Sequence, residues 1–270
     1  MAKPENQPLA GKRIALLAAS ASRLGGGVFE ALVNHVRLLR DTGATPILFA
    51  GADRFTEQDR ERFGQTPVHA PPTLGSASLA FAPALSRALD EAAPDLLHLH
   101  GIWQYPSLAA TRWARRTGKP YLISPHGMLE PWILARGRWK KACARLAYER
   151  ASWQAASGFH ALCPAETQSI MAATGRKDCI VIANPAPAPL RGPVLARAPQ
   201  ITYLGRIHPK KNLAALLAAW AALADTLPGN AELVLAGWGA ETDVAALRAM
   251  IEPLDKVRFI GPVFGAAKQR

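Results

Sequence analysis

Short apolar runs recur along the first 183 residues and alternate with segments whose apolar positions return every three or four residues. Residues 13–19 (RIALLAA) are apolar after the first position, the pattern of a parallel strand buried on both faces. A loop containing Gly25, Gly26 and Gly27 follows, and then a helical pattern over 28–41. TPILFA (45–50), DLLHLH (95–100), PYLIS (120–124), SGFHAL (157–162) and CIVIA (179–183) predict further strands. Helical patterns over 78–92, 137–154 and 164–173 lie between several of them. The alternation predicts an α/β fold built on a doubly wound parallel sheet.

The texture then changes. Residues 184–199 carry Pro185, Pro187, Pro189, Pro193 and Pro199, a spacing that suits a linker and no regular element. Alternation restarts with ITYLG (201–205), a helix over 210–224, ELVLAG (232–237), a helix over 241–251 and VRFIG (257–261). The predicted division is an N-terminal domain over 1–183, a linker over 184–199 and a second doubly wound domain over 200–270. A doubly wound domain commonly has about six strands. The second domain has three in this reading, so it is expected to be incomplete and the chain to be a C-terminally truncated form or fragment, with weak or absent turnover.

Of the 270 residues, 49% are hydrophobic and 19% charged, as in ordinary globular proteins. The formal net charge of +12 is what changes the picture, because it points to polyanionic partners: nucleic acid, anionic lipid or phosphorylated small molecules. Cys143, Cys163 and Cys179 are odd in number and widely spaced, which argues against a disulfide framework or a cysteine zinc site and fits a cytoplasmic setting. Lys12-Arg13 followed by IALLAASAS imitates a signal peptide, but the apolar stretch from Ile14 to Ala19 is shorter than the roughly 7–15 residues such segments need. A buried first strand explains it better, and no run reaches the roughly 18 apolar residues of a membrane-spanning helix.

Chemistry in such folds gathers beyond the carboxyl ends of the strands, where loops run into helix N-termini. GRIHPKKNL (205–213) lies at that place: a strand, then Arg206, then Pro209 suited to a first helical turn, then Lys210 and Lys211. Cations at a helix N-terminus oppose its dipole by roughly 0.3–1 kcal/mol each, so two lysines there cost stability unless an anion offsets them. An arginine fork with a lysine point charge suits a diphosphate; the plain alternative is a solvated lysine-rich helix start. AGWG (236–239) is a second strand-to-helix turn, in which Gly237 and Gly239 allow close backbone approach or simply a tight turn. In the first domain the matching rim holds Gly25–Gly27, His98, His100 and the Ser124-Pro125-His126-Gly127 loop. His98 reads as a core histidine and is expected to point away from His100. His126 admits both a structural reading and one in which its ring is aimed into a cleft.

The Gly25–Gly27 loop, PYLISPHGMLEPWIL (120–134), GRWKKACARLAYERA (137–151), FHALCPAETQSI (159–170), GRIHPKKNL, LVLAGWG (233–239) and VRFIGPVFGAAKQ (257–269) together resemble the retaining glycosyltransferases of family 4, over nearly the whole chain. Members acting in bacterial surface-polysaccharide assembly carry a similar SPxGMLEPW segment. The resemblance implies the GT-B fold, two Rossmann-like domains facing a cleft. It implies a nucleotide-diphosphate sugar as donor, with Arg206 and Lys211 on the diphosphate and Asn212 where many relatives have glycine. Gly25, Gly26 and Gly27 would approach the donor phosphate and the acceptor, Gly237 and Gly239 would belong to the donor site, and His126 would face the donor sugar. No metal and no further cofactor are implied, since Arg and Lys supply the positive charge. Retention would follow from same-face attack, with the leaving phosphate taking the acceptor's proton. Glu130 and Glu149 are read as solvated. The family's pair of glutamates seven residues apart would lie beyond Arg270.

Between Arg112 and Arg150 there are ten basic and two acidic residues, so two thirds of the net charge is concentrated there. Over 137–154, Arg138, Lys141 and Arg145 fall on one stripe, while Trp139, Cys143, Leu146 and Trp153 form an apolar stripe expected to pack on the sheet. The basic stripe suits an anionic inner-membrane surface, where a lipid-linked acceptor or glycan would be presented. Nucleic acid is disfavoured because the aromatics fall mostly in apolar stripes and no reading module is evident. A dehydrogenase is disfavoured because Gly25–Gly27 does not match GxGxxG and Asp53 is a poor ribose acid. A nucleotide-sugar epimerase of similar fold and a non-catalytic binding fragment remain as alternatives.

Overall fold

The computed structural model describes residues 7–184 and 199–263. The chain divides into two compact units, Met1–Ala186 and Pro187–Arg270. The proline-rich stretch lies outside the described residues apart from Asn184 and Pro199.

In the first unit β1 (Arg13–Ser20), β2 (Thr45–Gly51), β3 (Val68–His69), β4 (Leu96–His100), β5 (Tyr121–Ser124), β6 (Gly158–Ala161) and β7 (Cys179–Val181) form one parallel sheet in the order β3-β2-β1-β4-β5-β6-β7. β1 sits between two cores. Ala15 and Leu17 join Leu97, Leu99 and residues of the helices Ala84–Ala92 and Tyr105–Thr117 on one face. Ile14, Leu16 and Ala18 join Phe29, Leu32 and Val36 of the helix Gly27–Asp41 on the other. With both faces covered, uninterrupted apolar sequence is what the strand requires, each buried leucine contributing about 1.5–3 kcal/mol. The strand order reverses between β1 and β4, and that switch point fixes where loops part to leave a crevice.

Three details depart from the sequence expectation. The helix expected over 78–92 begins at Ala84, because Pro83 has no N–H to give to a preceding turn. The helix Tyr105–Thr117 was not expected: its buried side is made of Ala109, Ala110, Thr111 and Trp113, with no leucine ladder to mark the period. The helix over 137–154 is present as Arg138–Ala144, a π turn at Arg145–Glu149 and Arg150–Ala155.

The second unit holds β8 (Gln200–Leu204), β9 (Glu232–Ala236) and β10 (Val257–Gly261), parallel and in the order β10-β9-β8. Its core gathers Leu213, Leu217 and Trp220 of the helix Leu213–Leu223, Leu247 of the helix Glu241–Ile251, and Leu233 and Leu235 of β9. Among the described residues β8 lies at a sheet edge, with Ile201 49% exposed. Among the described residues no helix is long and apolar enough to cross a membrane.

Candidate active site

At the carboxyl end of β1 a hydroxyl–carboxylate knot sets the path of the chain. Ser20 Oγ and Ser22 Oγ donate to Asp53 Oδ2 at 2.6 and 2.8 Å, and Ser22 Oγ accepts from Leu24 N–H. Asp53, which follows β2, therefore serves the loop after β1. Arg23–Gly25 forms one 3₁₀ turn, Gly26 takes φ 57°, and Gly27 opens the helix Gly27–Asp41. Gly26 has the left-handed φ that favours glycine, and no side chain caps the helix. The N–H groups of Gly25 and Gly26 donate to Ser22 O and Arg23 O at 2.8 and 3.1 Å, while a Cβ on Gly27 would meet nothing within 4 Å, so it is at Gly27 that this unit leaves open space beside the chain.

His126 sits two strands away, in the turn after β5, with φ 54° beside Gly127 with φ 75°. The turn is held from two directions. Gly101 N–H donates to Ser124 O at 2.8 Å, and Gly127 N–H donates to Glu166 Oε1 at 2.6 Å. Glu166 Oε2 accepts from Leu162 N–H at 2.7 Å. Glu166 is the third residue of the helix Pro164–Thr174, and its carboxylate reaches back over the helix start as in a capping box while also gripping the neighbouring turn. Glu166→Ala orphans two backbone donors, and a loss of about 1–3 kcal/mol for each that stays buried is expected in urea unfolding. Glu166→Gln, whose amide offers one accepting oxygen, is expected between wild type and alanine.

The ring of His126 meets that of His100, with Nε2 2.9 Å from His100 Nδ1 and the rings stacked at 5.2 Å. Burial, with the nearby His35 and His160, lowers the His126 pKa to about 4. The ring is therefore neutral near pH 7, a hydrogen-bonding group and no standing cation. His98 and His100 share a face, with ring centroids 4.1 Å apart. The expectation that they point apart fails because strand side chains alternate, so residues two apart return to the same side. His98 is a core histidine, its Nε2 2.7 Å from Ser124 Oγ.

The expectation of solvated glutamates is also corrected. Glu149 is fully buried. Its Oε1 accepts from Trp103 N–H at 2.5 Å, while Tyr148 Oη donates to Trp103 O at 2.9 Å. Trp103, at φ 74°, is a strained backbone position that two consecutive residues of the π turn hold in place. Burial pushes the Glu149 carboxyl up to about 7. The loop it holds follows β4, and with Ala19 it lines a shallow concavity at the switch point that also includes His100, Gly101, Gln104 and Ser107. Glu130 is half-buried with its carboxylate over Gly127.

In the second unit the two turns named from sequence meet. Gly205 N–H donates to Ala236 O at 3.0 Å and Ile207 N–H to Trp238 O at 2.7 Å. A Cβ on Gly237 would lie 1.7 Å from Gly205 O, and one on Gly239 would lie 2.3 Å from Ile207 O. Both glycines are thus accounted for by one turn packing on the other. Arg206 is exposed between Gly205 and Ile207, its carbonyl accepting from Tyr203 Oη. The helix expected from 210 starts later: Pro209–Lys211 is a 3₁₀ turn with His208 as its cap, and Asn212 at φ 50° precedes Leu213. That left-handed position explains why glycine or asparagine suits residue 212. Among the described residues no acid pairs with Arg206 or Lys211.

The basic helix differs most from expectation. Lys141 Nζ donates to Ile133 O at 2.7 Å and to Arg136 O. Arg145 donates to Ala173 O at 3.1 Å and covers the Trp153 ring. Only Trp153 of the apolar stripe packs inward; Trp139 is 70% and Leu146 81% exposed, and Cys143 is exposed too. Lys140 and Arg136 lie over the rings of Trp139 and the exposed Trp132. The ground for disfavouring nucleic acid, aromatics confined to apolar stripes, does not extend to these two tryptophans.

Similar architecture occurs in HepE from Anabaena, solved with UDP and glucose (TM-score 0.69, 19% identity, 94% of this chain and 70% of that one). It also occurs in the catalytic domain of starch synthase IV from Arabidopsis thaliana bound to ADP and acarbose (TM-score 0.66, 13% identity, 96% and 76%). UDP-GlcNAc 2-epimerase from Neisseria meningitidis bound to UDP-GlcNAc shares it more loosely (TM-score 0.54, 11% identity, 94% and 73%). A parallel sheet with a switch point, followed by a second parallel unit, places the protein in the GT-B class of folds. No curated protein matches the sequence. Residues 26–186 match the model of the Glycosyl transferase 4-like domain, and residues 198–269 that of Glycosyl transferases group 1. The first match spans more than half of the chain, which therefore belongs to the glycosyl transferase 4-like family.

Proposed function

We propose that the protein moves a hexosyl unit from a nucleotide-diphosphate sugar to a glycan or lipid-linked acceptor, with retention of anomeric configuration, in surface-polysaccharide synthesis. The observation that carries this reading is the second unit's rim, where the packed turns around Gly205–Ile207 and Gly237–Gly239 hold Arg206 exposed and Lys211 follows one 3₁₀ turn later. Arg206 and Lys211 bind the diphosphate and neutralise it as it leaves, with no metal ion at that position. The acceptor hydroxyl attacks the anomeric carbon from the face of the departing group. The bond from that carbon to the diphosphate oxygen breaks, and the hydroxyl proton passes to a phosphate oxygen. His126, neutral and held by His100 and the Glu166-braced turn, hydrogen-bonds the donor sugar. The open Gly25–Gly27 helix start takes part of the phosphate and acceptor path.

Arg206→Ala and Lys211→Ala are each expected to raise the Kd for UDP, ADP or GDP, whichever binds, by about 10- to 100-fold, the value of a charge-assisted hydrogen bond. Unchanged Kd in both variants would refute the assignment. Labelled donor separates transfer from epimerisation, because one leaves sugar on the acceptor and the other an isomerised nucleotide sugar.

The exposed Trp132, Trp139 and Leu146, interleaved with Arg136, Arg138 and Lys140, support docking on an anionic inner-membrane surface better than the stripe of Arg138, Lys141 and Arg145 does. Flotation with anionic vesicles tests this, and equal binding to neutral vesicles would remove the electrostatic part.

A further inference from the structure

The sheet face under the helix Gly27–Asp41 carries an unusual core. Where β4 and β6 have apolar neighbours on their other face, they turn His98, His100 and His160 toward this one, and the helix adds His35. Ring centroids of His35, His98 and His160 lie 5.3, 5.4 and 5.7 Å apart. One ligand atom from each of the three lies within 4.8 Å of the others. We propose that His35, His98 and His160 of the first unit bind one divalent transition-metal ion of the zinc class.

Several features fit a metal. A triangle of that side puts each nitrogen at most about 2.8 Å from its centre, against about 2.0–2.1 Å for zinc–imidazole bonds, so side-chain shifts of under about 1 Å close the shell. The three rings come from a helix and two strands of one sheet, a scaffold that holds ligands in register. His160 Nε2 lies 2.8 Å from Ile182 O, a bond it makes as donor, which leaves Nδ1 with the lone pair a metal takes. Ser124 Oγ holds His98 Nε2 in the same manner, and the hydroxyl serves either tautomer. His35 Nδ1 is buried without a hydrogen-bond partner, as is Nε2 of the adjacent His100. An all-nitrogen set selects zinc, cobalt, nickel or copper over magnesium or calcium.

The test uses the whole chain after chelator treatment, with Co2+ as the probe. One equivalent is expected to bind, raise the melting temperature and give visible d–d bands without the thiolate charge-transfer band that Cys143, Cys163 or Cys179 would produce. Mg2+ is expected to do neither. His35→Ala and His160→Ala are each expected to weaken Co2+ binding by at least the roughly 10–100-fold that losing an outer-shell partner causes. His208→Ala, in the other unit, is expected to leave it unchanged. No binding, a thiolate band, or full affinity in folded His35 and His160 variants would overturn the proposal. If those variants fail to fold, X-ray absorption of the cobalt-loaded wild type decides, with three imidazoles supporting the site and a sulfur or all-oxygen shell overturning it.

Discussion

Gly237→Ala is expected to disrupt the second unit while the first keeps its structure. The added Cβ would lie 1.7 Å from the carbonyl oxygen of Gly205, a backbone atom that has no rotamer through which to escape. Relief would require separating the two turns, and with them the hydrogen bonds from Gly205 to Ala236 and from Ile207 to Trp238. Overpacking usually costs about 1–3 kcal/mol where side chains can yield. Here the neighbour is main chain, so a cost above about 4 kcal/mol is expected. Hydrogen exchange is the discriminating measurement: amides of β8, β9 and β10 should lose protection while those of β1 and β4 keep theirs. Retained protection in β8–β10 would mean that the close approach is dispensable. The same variant is expected to abolish nucleotide binding, since Arg206 sits between the displaced residues. Loss of binding with exchange unchanged would instead make Gly237 a ligand contact.

Glu149→Gln is expected to remove a pH dependence of stability worth about 3 kcal/mol. The folded carboxyl has a pKa of about 7, against 4.5 in its ordinary state. Below pH 4.5 both folded and unfolded chains hold the proton, and the group makes no difference. As pH rises from 4.5 to 7 the unfolded chain releases its proton first, so folding loses stability progressively, and above 7 the full loss is in place. The shift of about 2.5 units, at 1.36 kcal/mol each, sets the magnitude. Glutamine keeps an oxygen for Trp103 N–H and never ionises. Urea unfolding at pH 5, 6, 7 and 8 should therefore show the variant gaining on the wild type as pH rises. A constant difference across that range would show that Glu149 ionises as freely in the folded chain as in the unfolded one.

Strands of the first unit were legible because both faces of the sheet are covered, which leaves runs such as RIALLAA free of polar interruptions. The helix Tyr105–Thr117 was hidden for the complementary reason: alanine, serine and threonine fill its buried side, and one tryptophan does the packing of several leucines. GRIHPKKNL and AGWG were legible as chemistry because they lie at strand ends, and their mutual packing gives the glycines a cause that sequence could not supply. Glu149 and Glu166 were harder. Each looks like a surface acid on a helix, and only the fold brings Trp103 N–H and Gly127 N–H to them. For Glu166 a signal existed, since a glutamate two residues after the proline that opens a helix is well placed to reach back over its start. His35, His98 and His160 offered none, being more than sixty residues apart and joined only by sheet order and the helix above it.

The π turn at Arg145–Glu149 sets how the segment answers a change of length. A π turn accommodates one residue more than the α-helical winding around it. Deleting a bystander such as Ala147 would remove that extra residue and let the coil revert to 3.6 residues per turn with its two halves still in phase, so Trp153 would keep its socket. Inserting a further residue beside it has no such outlet and would swivel one half against the other by about 100°. Excision of Ala147 should thus be tolerated better than an insertion next to it.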